Sequence, residues 1–142
     1  MNDKPIVVER LSDASISKVW KAITDKDEMK KWYFDLAEFK TEVGFTFQFA
    51  GGPPDTQYLH LCEITKVIPE KKLTYSWRYD GYTGNSFVTF ELFEQHNKTL
   101  LQLTHKGINT FPEENKDFAV ANFEQGWNEI INTSLKNYLE EK

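Results

Sequence analysis

The chain has 142 residues, the size of one domain, with 17 basic and 22 acidic side chains and a net charge of −5. That balance, with no long basic patch, excludes nucleic acid and an anionic membrane surface as expected partners. Aromatic residues make up 15% of the chain, 11 of them Phe and 4 Trp, so either the core is large or a cavity is lined with rings.

Ile6 to Leu11 is short and β-branched and predicts a strand. Ser12-Asp13-Ala14-Ser15 supplies caps for a helix from about Ile16 to Thr24, with Ile16, Val19, Trp20 and Ile23 on its buried face. Asp25 or Asp27 caps a second short helix that reaches Trp32. The period then changes to two. Ala37 to Lys40 reads as a short strand. Gly44 to Phe49 reads as a half-buried one, with Phe45, Phe47 and Phe49 on one face. Ala50-Gly51-Gly52-Pro53-Pro54-Asp55 is a loop.

Tyr58 to Ile68 is a long strand with room for a bulge, and Pro69 to Lys72 turns the chain. Leu73, Tyr75 and Trp77 then alternate with Thr74, Ser76 and Arg78. After a connection over Asp80 to Asn85, Ser86 to Glu94 sets Val88, Phe90 and Leu92 on one face. Gln95-His96-Asn97 makes a hairpin. Leu101, Leu103 and His105 share a face of the last strand, which Gly107 ends. From about Lys116 to Glu140, Val120, Phe123, Trp127, Ile130/Ile131, Leu135 and Tyr138 recur every three to four positions. They predict one helix roughly 35 Å long. Its other face, with Asn122, Glu124, Asn128, Glu129 and Asn132, is polar.

The order is strand, two short helices, about six strands, long helix. Short turns between consecutive strands imply an antiparallel meander. The expected fold is a single α+β domain over residues 1–142: a curved antiparallel sheet, two short N-terminal helices, and a long C-terminal helix across the concave face. A helix laid on a curved sheet leaves a space between the two layers.

Chemical motifs are scarce. Gly51-Gly52 lacks the spacing of a phosphate loop. His60, His96 and His105 show no metal-like pairing with Cys or carboxylates, and His60 reads as a strand surface residue. Glu63 and Glu91 fall on outward strand positions, while Asp35 and Asp80 lie in loops. No nucleophile stands near a base, so no catalytic site, no metal and no cofactor is expected. Cys62, the single cysteine, reads as a small buried hydrophobe. Met1 to Pro5 carries no apolar leader and no apolar run reaches the length of a membrane span, so membrane insertion is not expected and the expected compartment is the cytoplasm.

What remains is a set of inward-facing rings. The candidate ligand-binding residues are Trp32, Phe47, Tyr75, Trp77, Phe90, His105, Phe123 and Trp127. They would receive a flat or elongated apolar molecule; the same spacing equally makes a plain core. His105 is either a polar group that orients a ligand or a core histidine bonded to a backbone carbonyl, a Tyr or a Trp.

Five segments carry a resemblance to a known family. Val19-Trp20-Lys21-Ala22-Ile23-Thr24 followed by Trp32, the glycine-led strand Val43-Gly44-Phe45-Thr46-Phe47, and Ile68-Pro69 through Trp77 are three of them. Thr99-Leu100-Leu101-Gln102-Leu103-Thr104-His105-Lys106-Gly107 and Gly126-Trp127 with Leu135 and Tyr138-Leu139 complete the series. In this order they resemble the family homologous to the C-terminal domain of the heat-shock chaperone ATPase activator. That family belongs to the START-like, birch-pollen-allergen-like superfamily. The resemblance implies a helix-grip fold. It also implies one of three activities: carriage of a small apolar or aromatic molecule, regulation of a chaperone ATPase, or cyclase-type or hydrolase-type chemistry in the same cavity. The residues favour non-catalytic binding. A chaperone partner would show as an exposed apolar patch or a sign-segregated charged surface; the outward helix face is polar and mixed, which leaves the loop around Gly51-Gly52-Pro53-Pro54 as the docking edge.

Overall fold

The computed structural model describes residues 5–34, 36, 38–52 and 56–140. Six strands form one antiparallel sheet: β1 (Ile6–Ser12), β2 (Thr46–Gly51), β3 (Tyr58–Ile68), β4 (Lys72–Tyr79), β5 (Ser86–Gln95) and β6 (Lys98–Lys106). Their spatial order is β1-β6-β5-β4-β3-β2, so β2 to β6 follow one another as hairpins and β1 closes the sheet beside β6. The hairpin between β5 and β6 turns on His96 and Asn97, both at positive φ, the twist that two-residue hairpin loops require.

The predicted alternation sets the inner face. The pairings Ile64–Tyr75, Tyr75–Val88, Val88–His105 and His105–Ile6 make one row across five strands. Phe47–Cys62, Cys62–Trp77 and Trp77–Ser86 make a second. A one-residue slip would turn every one of these side chains to the outer face, so the rows fix the register. A bulge between Ile64 and Lys66 interrupts β3.

Two helices follow β1. Helix α1 (Ile16–Thr24) starts where the Ser15 side chain accepts from the Lys18 backbone N–H, and it buries Val19, Ala22 and Ile23. Helix α2 (Lys26–Trp32) starts where Asp25 accepts from Asp27 N–H, and it buries Met29 and Trp32. Lys30 and Lys31 lie in its last turn, where they oppose the negative end of the helix dipole.

Three sequence expectations are corrected. The first concerns Ala37 to Lys40. Ala37 is outside the described residues, and Glu38, Phe39 and Lys40 form no strand. Alternation alone does not make a strand; a ladder partner does. Phe39 is held by its ring, 5.1 Å from Phe47 and 6.5 Å from Phe45. Among the described residues the sheet therefore has six strands rather than seven. Second, Ala50 and Gly51 belong to β2, because they pair with Leu59 and Tyr58. Gly51 suits the place: a Cβ there would lie 3.3 Å from the Phe34 ring and 3.4 Å from His60. Pro53, Pro54 and Asp55, the rest of the expected loop, lie outside the described residues.

Third, the C-terminal helix is not continuous from Lys116. Lys116–Phe118 is a 3-10 turn, and Ala119 is extended at φ −70°, ψ 145°. Helix α3 (Val120–Glu129) then runs into a π-helical segment (Ile130–Leu135) and α4 (Lys136–Glu140). Its buried residues are Trp127, Ile131, Leu135 and Leu139. They are four apart, and a regular α-helix rotates such a stripe by about 40° at each step. The wider i→i+5 turn rotates it back and keeps all four on the sheet. Val120, expected on that face, is 48% exposed. Tyr138 is half-buried and donates from its hydroxyl to Glu28 at 2.7 Å.

Candidate functional site

The eight predicted residues come from every layer of the fold. Trp32 ends α2, Phe47 is on β2, Tyr75 and Trp77 on β4, Phe90 on β5, His105 on β6, and Phe123 and Trp127 on α3. All are buried except Phe123, which is half-buried. Trp127 is the hub, with its ring 5.5 Å from Trp77, 6.2 Å from Phe90 and 5.9 Å from His105. His105 also meets Trp77 and Phe123 edge-on, at 5.4 and 5.3 Å. Tyr75 meets Phe47 and Phe90 at 5.1 and 6.1 Å. These are contact separations for aromatic pairs. Trp32 stands apart: its Nε1–H donates to the Ala22 carbonyl at 2.9 Å, and it reaches the group through the ring of Tyr33, 5.0 Å away.

His105 is fully buried, and both of its nitrogens are engaged. The indole N–H of Trp127 donates to Nδ1 at 2.9 Å. An indole can only donate, so Nδ1 is bare and Nε2 carries the proton. Nε2 donates to Ser86 Oγ at 2.8 Å, and that hydroxyl donates to the Trp77 carbonyl at 2.7 Å. The series runs from helix to backbone with each N–H and O–H used once. Of the two sequence readings of His105, this geometry is that of a core histidine bonded to Trp. Burial, with a smaller contribution from His60, pushes its pKa down to about 3. It is neutral at pH 7.

His60 is also inside, which corrects its expected surface position. It stacks on Phe49 at 4.5 Å and meets Trp77 and Tyr79 edge-on. Nδ1–H donates to the Tyr58 carbonyl at 3.1 Å, and burial pushes the pKa down to about 4. The signal was present in the sequence: His60 shares strand parity with Tyr58, Cys62 and Ile64, all buried. Burial likewise pushes the Cys62 thiol up.

Tyr33 is the second residue that the sequence reading missed. Its hydroxyl lies 2.6 Å from that of Tyr75, and burial raises the pKa of both tyrosines well above the ordinary value. The available signal was the run Trp32-Tyr33-Phe34 at the end of a helix. Three consecutive rings cannot share one helical face, but α2 stops at Trp32, which frees Tyr33 to turn inward. At the far end of the sheet, Tyr58 donates to Asp117 at 2.6 Å and accepts from Asn115 at 3.2 Å, which ties the 3-10 turn to β3. Among the described residues, no group of three or more His, Cys, Asp or Glu side chains is placed to hold a metal ion.

A six-stranded antiparallel sheet gripped by a C-terminal helix after two short helices is the helix-grip fold. The family model described as "Activator of Hsp90 ATPase homolog 1-like protein" matches residues 13–140, and the chain belongs to that family. No curated protein matches the chain significantly. Among solved structures, DynU16, from the dynemicin biosynthetic locus, is 22% identical with a TM-score of 0.79 over 99% of this chain. This chain spans only 48% of that one, about half its length. Protein BH1534 of Bacillus halodurans is 27% identical with a TM-score of 0.74, covering 96% of this chain and 97% of its own. The Aha1 dimer from Colwellia psychrerythraea is 25% identical with a TM-score of 0.72, covering 96% of each chain.

Proposed function

We propose that this protein binds a small, neutral, apolar or aromatic molecule between the sheet and the C-terminal helix, without performing chemistry on it. The observation that supports this most is the contacting group of rings around Trp127, contributed by α2, four strands and α3. Its surroundings are uncharged at neutral pH. His105 and His60 are held neutral, and the Tyr33 and Tyr75 hydroxyls stay protonated. Such an interior favours a neutral ligand, because a charged one would have to be desolvated without a partner. An enzyme acting at this place would draw on His105 as its base. Both nitrogens of that residue are occupied, which argues for binding rather than turnover. A buried lone thiol at Cys62 suits a reducing compartment, and the proposed location is the cytoplasm. Among the described residues no helix is long and apolar enough to cross a membrane.

The test is a screen of neutral aromatic and apolar compounds by chemical-shift perturbation. Binding should move the indole N–H signals of Trp77 and Trp127 and the ring signals of His105. No binding in the millimolar range, or shifts confined to the outer face of the sheet, would defeat the proposal.

A second reading, docking on a heat-shock chaperone, has one observation in its favour. Leu11 pairs with Leu100, and Leu100 with Phe93, so three apolar side chains form a row across β1, β6 and β5 on the outer face. Leu11 is 46% and Phe93 39% exposed. An exposed apolar row is the kind of surface a protein partner covers. Acceleration of a chaperone ATPase by the wild type, abolished by Leu11→Asp, would support this reading; no acceleration at stoichiometric ratios would remove it.

A further inference from the structure

The outer face of the sheet gathers exposed apolar side chains. Val7, Leu11, Ile68, Phe87 and Phe93 all stand on it, each between 39% and 51% exposed. Apolar area collected on one face marks a surface that another molecule covers. The register orders this face in rows. Leu11, Leu100 and Phe93 make the first, across β1, β6 and β5. Val7, Thr104, Thr89 and Thr74 make another, without charge, in which the Thr74 and Thr89 hydroxyls are hydrogen-bonded at 3.1 Å. Between the two runs the row Glu9, Gln102, Glu91 and Lys72, whose ends carry opposite charge. Gln102 Nε2 donates to Glu9 at 2.6 Å and keeps that carboxylate in the row.

This pattern is complementary to itself. A twofold axis in the plane of the face, parallel to the strands and between β5 and β6, exchanges β6 with β5 and β1 with β4 and keeps each row at its own level. Leu100 then meets Phe93 of a second copy, Thr104 meets Thr89, Gln102 meets Glu91, and Glu9 meets Lys72. Each contact is made twice. A row with ends of one sign would repel its own copy; a row with ends of opposite sign selects it. Four strands about 4.8 Å apart, overlapping for about seven residues of about 3.4 Å, give roughly 450 Å² of flat area from each protomer, at the small and weak end of specific interfaces.

We propose that the outer face is covered by a second copy of this chain, sheet against sheet. Leu100 and Phe93 pack at the centre of the pair, and Glu9–Lys72 ion pairs close its two rims. The centre supplies the affinity, through apolar area removed from water. The rim charges supply the register, because a shift of one strand to either side takes Glu9 off Lys72. The interface does not depend on ligand binding between the sheet and the C-terminal helix, and a copy seated here excludes a chaperone from the same row.

The test is sedimentation equilibrium of the full chain from about 1 µM to about 1 mM, the range of a small interface. Wild type should pass from monomer to dimer within it. Phe93→Glu should remove the dimer, because it sets a carboxylate against Leu100 of the second copy. Glu9→Lys and Lys72→Glu each bring like charges together twice, and each should weaken dimerisation by about tenfold or more. The double variant Glu9→Lys/Lys72→Glu should regain most of that loss. Val120→Asp, at an exposed apolar position on the helix side of the sheet, should change nothing. If Phe93→Glu does not fold, Phe93→Thr carries the same comparison. A wild type that stays monomeric throughout would overturn the inference and leave the row free for another protein. A dimer indifferent to Phe93→Glu, or to both single reversals, would lie on another face and overturn it as well. Loss of the dimer in the single reversals without recovery in the double would overturn the twofold arrangement.

Discussion

Trp127 Nε1 donates to His105 Nδ1 at 2.9 Å, and this bond joins the C-terminal helix to β6, where the row of inward side chains crosses the sheet. The indole selects the histidine tautomer, the histidine orients Ser86, and Ser86 closes on the Trp77 carbonyl. Trp127→Phe keeps an aromatic ring but loses the N–H and part of the indole, so it strands a buried acceptor, at about 1–3 kcal/mol, and adds the cost of a small void. Removing the whole ring, by Trp127→Ala, should cost about 3–5 kcal/mol. Urea denaturation measures both. A Trp127→Phe variant as stable as wild type would show that ring packing alone makes the join.

Acid should destabilise the fold through its histidines. His105 has a pKa near 3 and His60 near 4 when folded, against about 6.5 when unfolded. Between those values the unfolded chain binds protons that the folded chain does not, so stability rises with pH across that window. Above about 6.5 neither state is protonated at these sites and the contribution is complete. As pH falls towards 4, each histidine should remove about 1.4 kcal/mol per pH unit; below its folded pKa the loss levels off. His60→Phe should shallow this slope, leaving the His105 share. An unchanged slope in the variant would mean that His60 titrates normally in the folded protein.

The parity of the strands carried most of the fold. Seven of the eight residues named from alternation or helical period are buried and Phe123 is half-buried; for the five on strands this follows because the sheet has one wet face and one dry one and register is binary. What failed had a different physical origin. The alternation in residues 38–40, the described part of that segment, has no neighbour to pair with. His60 was assigned by its polarity rather than by its parity, although stacking on Phe49 and one carbonyl bond satisfy it inside. Tyr33 takes its direction from the point where α2 ends, which no periodic pattern encodes. The π-helical segment leaves a trace only in hindsight, as the uniform spacing of four from Trp127 to Leu139.

Two glycines separate backbone conformation from crowding. Gly81 has φ +84° with nothing within 4 Å of a Cβ, whereas at Gly84, with φ +108°, a Cβ would lie 2.5 Å from the Thr110 carbonyl oxygen. Gly81→Ala should cost about 1–2 kcal/mol, the left-handed penalty alone. Gly84→Ala should cost clearly more, because the 3-10 turn at Ile108–Thr110 has to move. Thermal denaturation of the pair checks the order, and equal losses would mean that the turn yields freely.

Gly126 is the opposite case, a glycine inside a helix with open space where a Cβ would stand. Its φ is not positive, so alanine fits its conformation. Gly126→Ala should stabilise the protein by about 0.5–1 kcal/mol, because the unfolded chain loses more freedom than the folded one. The neighbouring Trp127 keeps its bond to His105, so ligand binding should not change. If the substitution instead destabilised the fold, or altered the Trp127 indole N–H signal, Gly126 would be serving the join between helix and sheet rather than merely preceding it.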